Sequence, residues 1–185
     1  MTIAPQTTHI DLSSLEFWAR PYEERDYDGL HALYSDADVA RWLYNEPHTP
    51  EESRAKLARK IAGTALTEEQ GLSAAVELRD GTYVGDVVLF YMAPAEHRSV
   101  ELGFSFLPAH QGHGYAAEAA RALVDWAFGV GFHRVYGRLE PRNVASARVL
   151  EKLGMRKEGE LVENEWVKGE WQSEAVYAIL DREWH

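Results

Sequence analysis

One segment constrains this chain more than any other. Val100 to Ala116 reads Val-Glu-Leu-Gly-Phe-Ser-Phe-Leu-Pro-Ala-His-Gln-Gly-His-Gly-Tyr-Ala, a β-rich run that passes through a glycine turn into a helix predicted over Ala117–Val130. Gly112 and Gly114 lack the Cβ atoms that would keep a ligand off the backbone. The opening helix supplies unpaired N–H groups with partial positive charge. The segment is an anion-binding device that suits a pyrophosphate.

Three phosphate-binding designs compete for such a turn. A Walker loop needs Lys-Ser/Thr after its last glycine, and Tyr115-Ala116 stands there instead. A dinucleotide fold needs Gly-x-Gly-x-x-Gly/Ala, which Gly112-His-Gly-Tyr-Ala-Ala117 satisfies formally, with Glu140 as a candidate ribose ligand. However, too little chain follows Glu140 to complete that sheet. The third design carries a resemblance. Gln111-Gly-His-Gly114-Tyr-Ala116 resembles the Gln/Arg-x-x-Gly-x-Gly/Ala signature of the GNAT acyl-CoA N-acyltransferases. Glu101-Leu-Gly-Phe resembles the strand before it, Asn143-x-x-Ser146-x-x-Val149-Leu-x-x-x-Gly154-Met155 the later helix, and Glu158-Gly-x-Leu161-x-Glu163 the strand after that. Together these motifs resemble the RimJ/RimL branch, over roughly Phe17 to Leu180.

Composition sets the bounds. With 185 residues and 45% hydrophobic side chains, the chain is long enough for one domain with a substantial core. No apolar run approaches a membrane span, and Met1–His9 lacks an export pattern, which predicts a cytoplasmic protein that makes no use of a membrane. Zero cysteines exclude disulfides, thiolate metal sites and a cysteine nucleophile. A formal net charge of −11 argues against nucleic acid and is more compatible with a cationic substrate, although acidity also serves solubility.

The patterning predicts a polar arm over residues 1–14 and one α/β domain over 15–185. A first strand is expected at Phe17–Arg20, with helical stretches near Glu24–Ser35, Ala37–Leu43 and Pro50–Thr64, the last opened by proline and acidic residues. Asp80-Gly81 signals a hairpin between Leu72–Leu78 and Tyr83–Met92, and Val100–Leu107 continues the meander. Further elements are a strand at Arg134–Leu139, a helix at Val144–Leu153 and strands near Met155–Glu165 and Glu170–Leu180. The expected architecture is a mixed sheet of six or seven strands flanked by helices. By resemblance, one strand pair splays apart to form the acyl-CoA cleft.

The same resemblance implies acetyl-CoA as co-substrate and an amine as acceptor, either a protein N-terminus or a small molecule. The turn Gln111, Gly112, His113, Gly114, Tyr115 and Ala116 would hold the pyrophosphate. Backbone groups of Phe106 and Leu107 would hold the pantetheine arm, with one N–H facing the thioester oxygen. Asn143 is either the cap of its helix or a hydrogen-bond partner of the pantetheine amide, or both. Ser146 either satisfies a first-turn N–H or lies near the leaving sulfur. Leu150 stands where many relatives carry a tyrosine acid.

For a base, Glu163 and Glu165 are two residues apart on a predicted strand, which expects both carboxylates on one sheet face. Glu165 matches the catalytic glutamate of the branch, Glu163 an acidic position common in the wider branch, and Glu101 is a further candidate. The alternative for the pair is a charged strand edge that resists aggregation. Trp18, Trp42, Tyr44, Tyr91, Trp166 and Trp171 lie on segments around the expected acceptor cleft, most of them as packing residues. His110 and His113 without a third ligand make a poor metal site, and no metal is expected. Dimers are common in the family, yet no segment here marks an interface. A non-catalytic acyl-CoA sensor is the alternative function.

Overall fold

Asp80-Gly81 turns the chain back on itself as its dipeptide predicts: Gly81 takes φ 88° and the Asp80 carboxylate accepts the Thr82 N–H at 2.9 Å. In the computed structural model, which describes residues 17–91 and 94–185, this hairpin lies in a seven-stranded sheet. The expected 1–14 arm lies outside the described residues. The strands are β1 (Phe17–Arg20), β2 (Leu72–Leu78), β3 (Tyr83–Phe90), β4 (Ser99–Phe106), β5 (Arg134–Leu139), β6 (Arg156–Val167) and β7 (Glu170–Leu180). Their spatial order is β1-β2-β3-β4-β5-β7-β6, and among the described strands only β4 and β5 run parallel. A doubly wound dinucleotide sheet is thereby excluded, because it needs consecutive parallel strands.

The helices are α1 (Tyr27–Ser35), α2 (Ala37–Ala40), α3 (Pro50–Ala62), α4 (Tyr115–Gly129) and α5 (Val144–Lys152). At the head of α3, Thr49 and Glu52 form a reciprocal capping box ahead of Pro50. The helix expected over Ala37–Leu43 is shorter: beyond Ala40 the N–H groups of Trp42 and Leu43 turn back to the carbonyls three residues earlier, and a loop follows. Among the described residues no helix is long and apolar enough to cross a membrane.

Alternation along the strands gives the sheet two faces with different cover. One face carries Val76, Val87, Leu89, Val100, Leu102, Phe106, Val135, Tyr177 and Ile179, packed against Ala120, Leu123, Val124 and Ala127 of α4 and Leu150 of α5. The other face is covered over β2 and β3 by α1 and α3 through Leu30, Leu33, Tyr34 and Leu57. A buried polar cluster sits beneath that cover: Asp86 accepts from Lys60 at 2.8 Å, Tyr22 at 2.6 Å and Tyr34 at 2.8 Å. Across β4 to β7 this second face instead presents charged side chains, which form one wall of the site.

Candidate active site

Beyond Glu101 and Tyr136 the strands β4 and β5 stop pairing, yet β4 runs on to Phe106 and β5 to Leu139. Because β5 stays paired with β7 as far as Leu139, the sheet opens into a wedge between β4 and β5. The backbone parity of β4 decides which groups face the opening. Leu107 N–H donates to Val84 carbonyl at 3.0 Å, which flanks the Gly85–Phe106 pair and turns the backbone of Phe106, and of Phe104 two residues before, away from β3 toward the wedge.

That parity corrects one expectation. Leu107 has no backbone N–H to offer a thioester oxygen, since that group serves Val84, and its carbonyl already accepts from His110 at 2.9 Å. Phe106 keeps its N–H toward the wedge, while its carbonyl accepts the Gln111 side-chain amide at 2.9 Å. Gln111 thus ties the glycine turn to the strand end. Phe104, which sequence reading missed, belongs with Phe106, and the signal was available in the alternation of β4.

The glycine turn lies at the mouth of the wedge. Gly112 and Gly114 adopt φ of 82° and 92°, and a Cβ at either would meet nothing within 4 Å, so their backbones border open space. Gly114 is the N-cap of α4, and Glu118 N–H is the first to find an intrahelical partner, at the Gly114 carbonyl. The first-turn N–H groups of Ala116 and Ala117 therefore point at the same opening. His113 stacks on Tyr115 with ring centroids 5.4 Å apart. Left-handed glycines, a helix N-terminus and an unpaired strand edge together fit a pyrophosphate continued by an amide-bearing arm.

On the other side of the wedge, Asn143 caps α5, its side-chain oxygen accepting the Ser146 N–H at 3.1 Å. The cap uses the side-chain oxygen and not its NH2. Leu150 is only 2% exposed and packs against Gly137, so this position belongs to the core.

The charged face gathers residues from four strands and one loop. Arg138 of β5 donates to Glu101 of β4 and to Glu174 of β7, both at 2.9 Å. Burial pushes the Glu101 carboxyl up, the Arg138 guanidinium opposes this, and the carboxylates of Glu174 and Glu165 add to it. Glu165 pairs in register with Gln172, which places it on the same face as Glu174. The Tyr44 hydroxyl, from the loop after α2, lies within electrostatic reach of the Glu165 carboxylate. Partial desolvation against the sheet and the Glu165 charge push the phenol up to about 12, although much of the ring is exposed.

The paired-carboxylate expectation assumed regular pairing along β6, which the strand does not keep. Between Leu161 and Glu165 the register slips by two residues, and Glu163 takes a left-handed φ of 50° while its N–H bonds the Ser173 hydroxyl at 2.9 Å. The bulge breaks the alternation on which a shared face depended. Glu163 is exposed, while Glu165 is half-buried within electrostatic reach of Tyr44.

Of the aromatic candidates, Tyr44 is at this face, whereas Tyr91 packs on Phe132 at 5.5 Å. Trp166 and Trp171 meet edge to face at 5.2 Å, and their register puts them on the opposite sheet face from Glu165. The Trp18 side chain lies outside the described ones.

Comparison with known proteins agrees with this geometry. Residues 17–156 match the family described as an acetyltransferase (GNAT) domain. An uncharacterized N-acetyltransferase, YnaD, of Bacillus subtilis is 32% identical over 167 residues, covering 90% of this chain and 94% of that protein. Spermidine N(1)-acetyltransferase of Escherichia coli K12 is 26% identical over 166 residues, covering 89% and 86%. A solved acetyltransferase of the GNAT family from Bacillus anthracis superposes with a TM-score of 0.82 at 30% identity, covering 91% and 97%.

Proposed function

Starting from the fact that the chain belongs to the GNAT acetyltransferase family, we propose that it acetylates a small amine carrying more than one positive charge. The charge count on the open face carries this reading: Glu101 and Glu174 share one guanidinium, Arg138, and Glu165 stands on the same face with no ion pair among the described residues, which leaves an excess of negative charge. The relative named for spermidine supports the same class. A protein N-terminus, the acceptor suggested by resemblance to the RimJ/RimL branch, brings only one ammonium to such a surface.

The reaction is a direct attack in a ternary complex. The first-turn N–H groups of α4 and the glycine turn hold the pyrophosphate, and the wedge-facing backbone of Phe104 and Phe106 pairs with the pantetheine arm like an added strand. The Asn143 NH2 donates to a pantetheine amide oxygen, and the Phe106 N–H polarises the thioester carbonyl. Acetyl-CoA supplies an acyl group already activated as a thioester. Glu165 takes a proton from the incoming ammonium and so exposes the nitrogen lone pair. As the C–N bond forms and the C–S bond breaks, the second amine proton leaves to solvent and the thiolate departs with a hydrogen bond from the Ser146 hydroxyl, to be protonated from water. With Leu150 in the core, no tyrosine acid is available there.

The test is thiol release from acetyl-CoA with spermidine, a monoamine of equal length and a peptide with a free N-terminus. Spermidine should give the highest kcat/KM, with a KM that rises with salt. A preference for the peptide would overturn the acceptor assignment.

A further inference from the structure

The turn joining β6 to β7 reaches toward both sides of the wedge. Lys168 stands there with a left-handed φ of 49°, followed by Gly169 at 82°. From this position the Lys168 ammonium leaves its own hairpin and donates to the carbonyl of Ala40, the last residue of α2, and to that of Asn45 at 3.4 Å. On the other side of the turn, Glu170 accepts from Arg142 at 3.0 Å, one residue before the Asn143 cap. A single hairpin tip thus grips the loop of the acceptor side and the loop of the cofactor side.

The two contacts differ in kind. Arg142 and Glu170 form an exposed ion pair. Lys168 makes no ion pair among the described residues, in a chain of 30 acidic residues, and its partly buried ammonium serves two backbone carbonyls instead. Those carbonyls flank the segment 41–45, which leaves α2 after a single turn and carries Tyr44 to Glu165. The residues the segment bridges are far apart in sequence, so local hydrogen bonds alone do not fix its position on the sheet.

We propose that Lys168 is a positioning residue for the acceptor: it pins both ends of the 41–45 loop and thereby sets the Tyr44–Glu165 pair against which the amine docks. The inference rests on the acetyltransferase reading for its kinetic consequence, but not for its structural one. Lys168 touches neither reacting atoms nor the pyrophosphate turn, so its loss should act on one substrate only.

The experiment compares wild type with Lys168→Met, Lys168→Arg, Tyr44→Phe and the Lys168→Met/Tyr44→Phe double variant. Trypsin cleavage of the exposed Arg41–Trp42 bond, followed by mass spectrometry on the protein without substrates, should be about tenfold faster in Lys168→Met, the scale of losing charge-assisted hydrogen bonds. Lys168→Arg should restore most of the protection. In turnover assays the amine KM should rise about tenfold in Lys168→Met while the acetyl-CoA KM stays unchanged. The effects of Lys168→Met and Tyr44→Phe should be less than additive. Equal cleavage rates, equal shifts in both KM values, or strict additivity would each overturn the proposal. Since cleavage needs no acceptor, failure to acetylate any amine would count against the functional reading and leave the clamp judged on its own.

Discussion

Arg138 reaches back across the mouth of the wedge to Glu101: its Nε lies 2.9 Å from Glu101 Oε2, just beyond the last residue pair that β4 and β5 share. The ion pair therefore stands where the strands part, and its second arm to Glu174 ties β7 into the same junction. Removing the guanidinium leaves two poorly hydrated carboxylates facing each other. Arg138→Met should cost about 2 kcal/mol of stability near neutral pH. Glu101 already has a raised pKa, so folding there is favoured below the ordinary carboxylate range and loses that contribution as pH rises. Without Arg138 the shift grows. Urea denaturation at pH 5 and pH 8 should show the larger deficit at pH 8, and an equal deficit at both would mean the carboxylates are well solvated.

Glu165→Gln should reduce kcat by about a hundredfold or more, the scale of losing a positioned base, with acetyl-CoA affinity unchanged. A second readout is independent of turnover. The Tyr44 phenol is held up at about 12 by partial desolvation and by Glu165, so replacing that carboxylate should bring the phenol down, visible in an ultraviolet titration. Normal kcat in the variant would remove Glu165 from the mechanism.

Much of this arrangement was legible in the sequence because it depends on short-range rules. The Asp80-Gly81 hairpin, the proline-opened α3, the glycine turn before α4 and the Asn143 cap each rest on neighbours in the chain. What escaped depends on partners far away. The slip between Leu161 and Glu165 arises in the pairing of β6 with β7, and no pattern within β6 announces it. The use of Leu107 N–H by Val84 follows from the β3 register, and Tyr44 reaches Glu165 only because α2 ends early. Arg138 was invisible for the same reason, since its three strands are distant in sequence.

Asn143 holds two duties that substitution can separate. Its oxygen caps α5, and its NH2 is the donor assigned to pantetheine. Asn143→Asp keeps the oxygen and loses the donor, so thermal stability should stay close to wild type while acetyl-CoA binds several-fold more weakly by calorimetry. Asn143→Ala should lose both, with about 1 kcal/mol of stability gone through the missing cap. Unchanged affinity in the aspartate variant would reduce Asn143 to a helix cap.

Asp86 is the sharpest case of burial decided by partners. Burial alone would raise its carboxyl, but the Lys60 ammonium at 2.8 Å and the Tyr22 and Tyr34 hydroxyls hold it below the ordinary aspartate range. A depressed acid stabilises the fold above its unfolded pKa, near 4, and that contribution is lost as pH falls through the folded value. Asp86→Asn leaves the Lys60 ammonium buried without its counter-charge and should cost about 3 to 5 kcal/mol at pH 7. The gap to wild type should narrow as pH falls below about 4, because the unfolded chain then takes up a proton that the native aspartate still refuses, and wild type loses the contribution of its depressed acid. Lys60→Met in the same background should recover part of the loss, since it removes the stranded charge. The cluster lies beneath α1 and α3, one strand away from the wedge, so the acetyl-CoA affinity of whatever fraction remains folded should be unchanged. Denaturant titrations of wild type and the two variants from pH 3 to pH 8 test this, and a deficit independent of pH would show that the ion pair is not what holds α3 to the sheet.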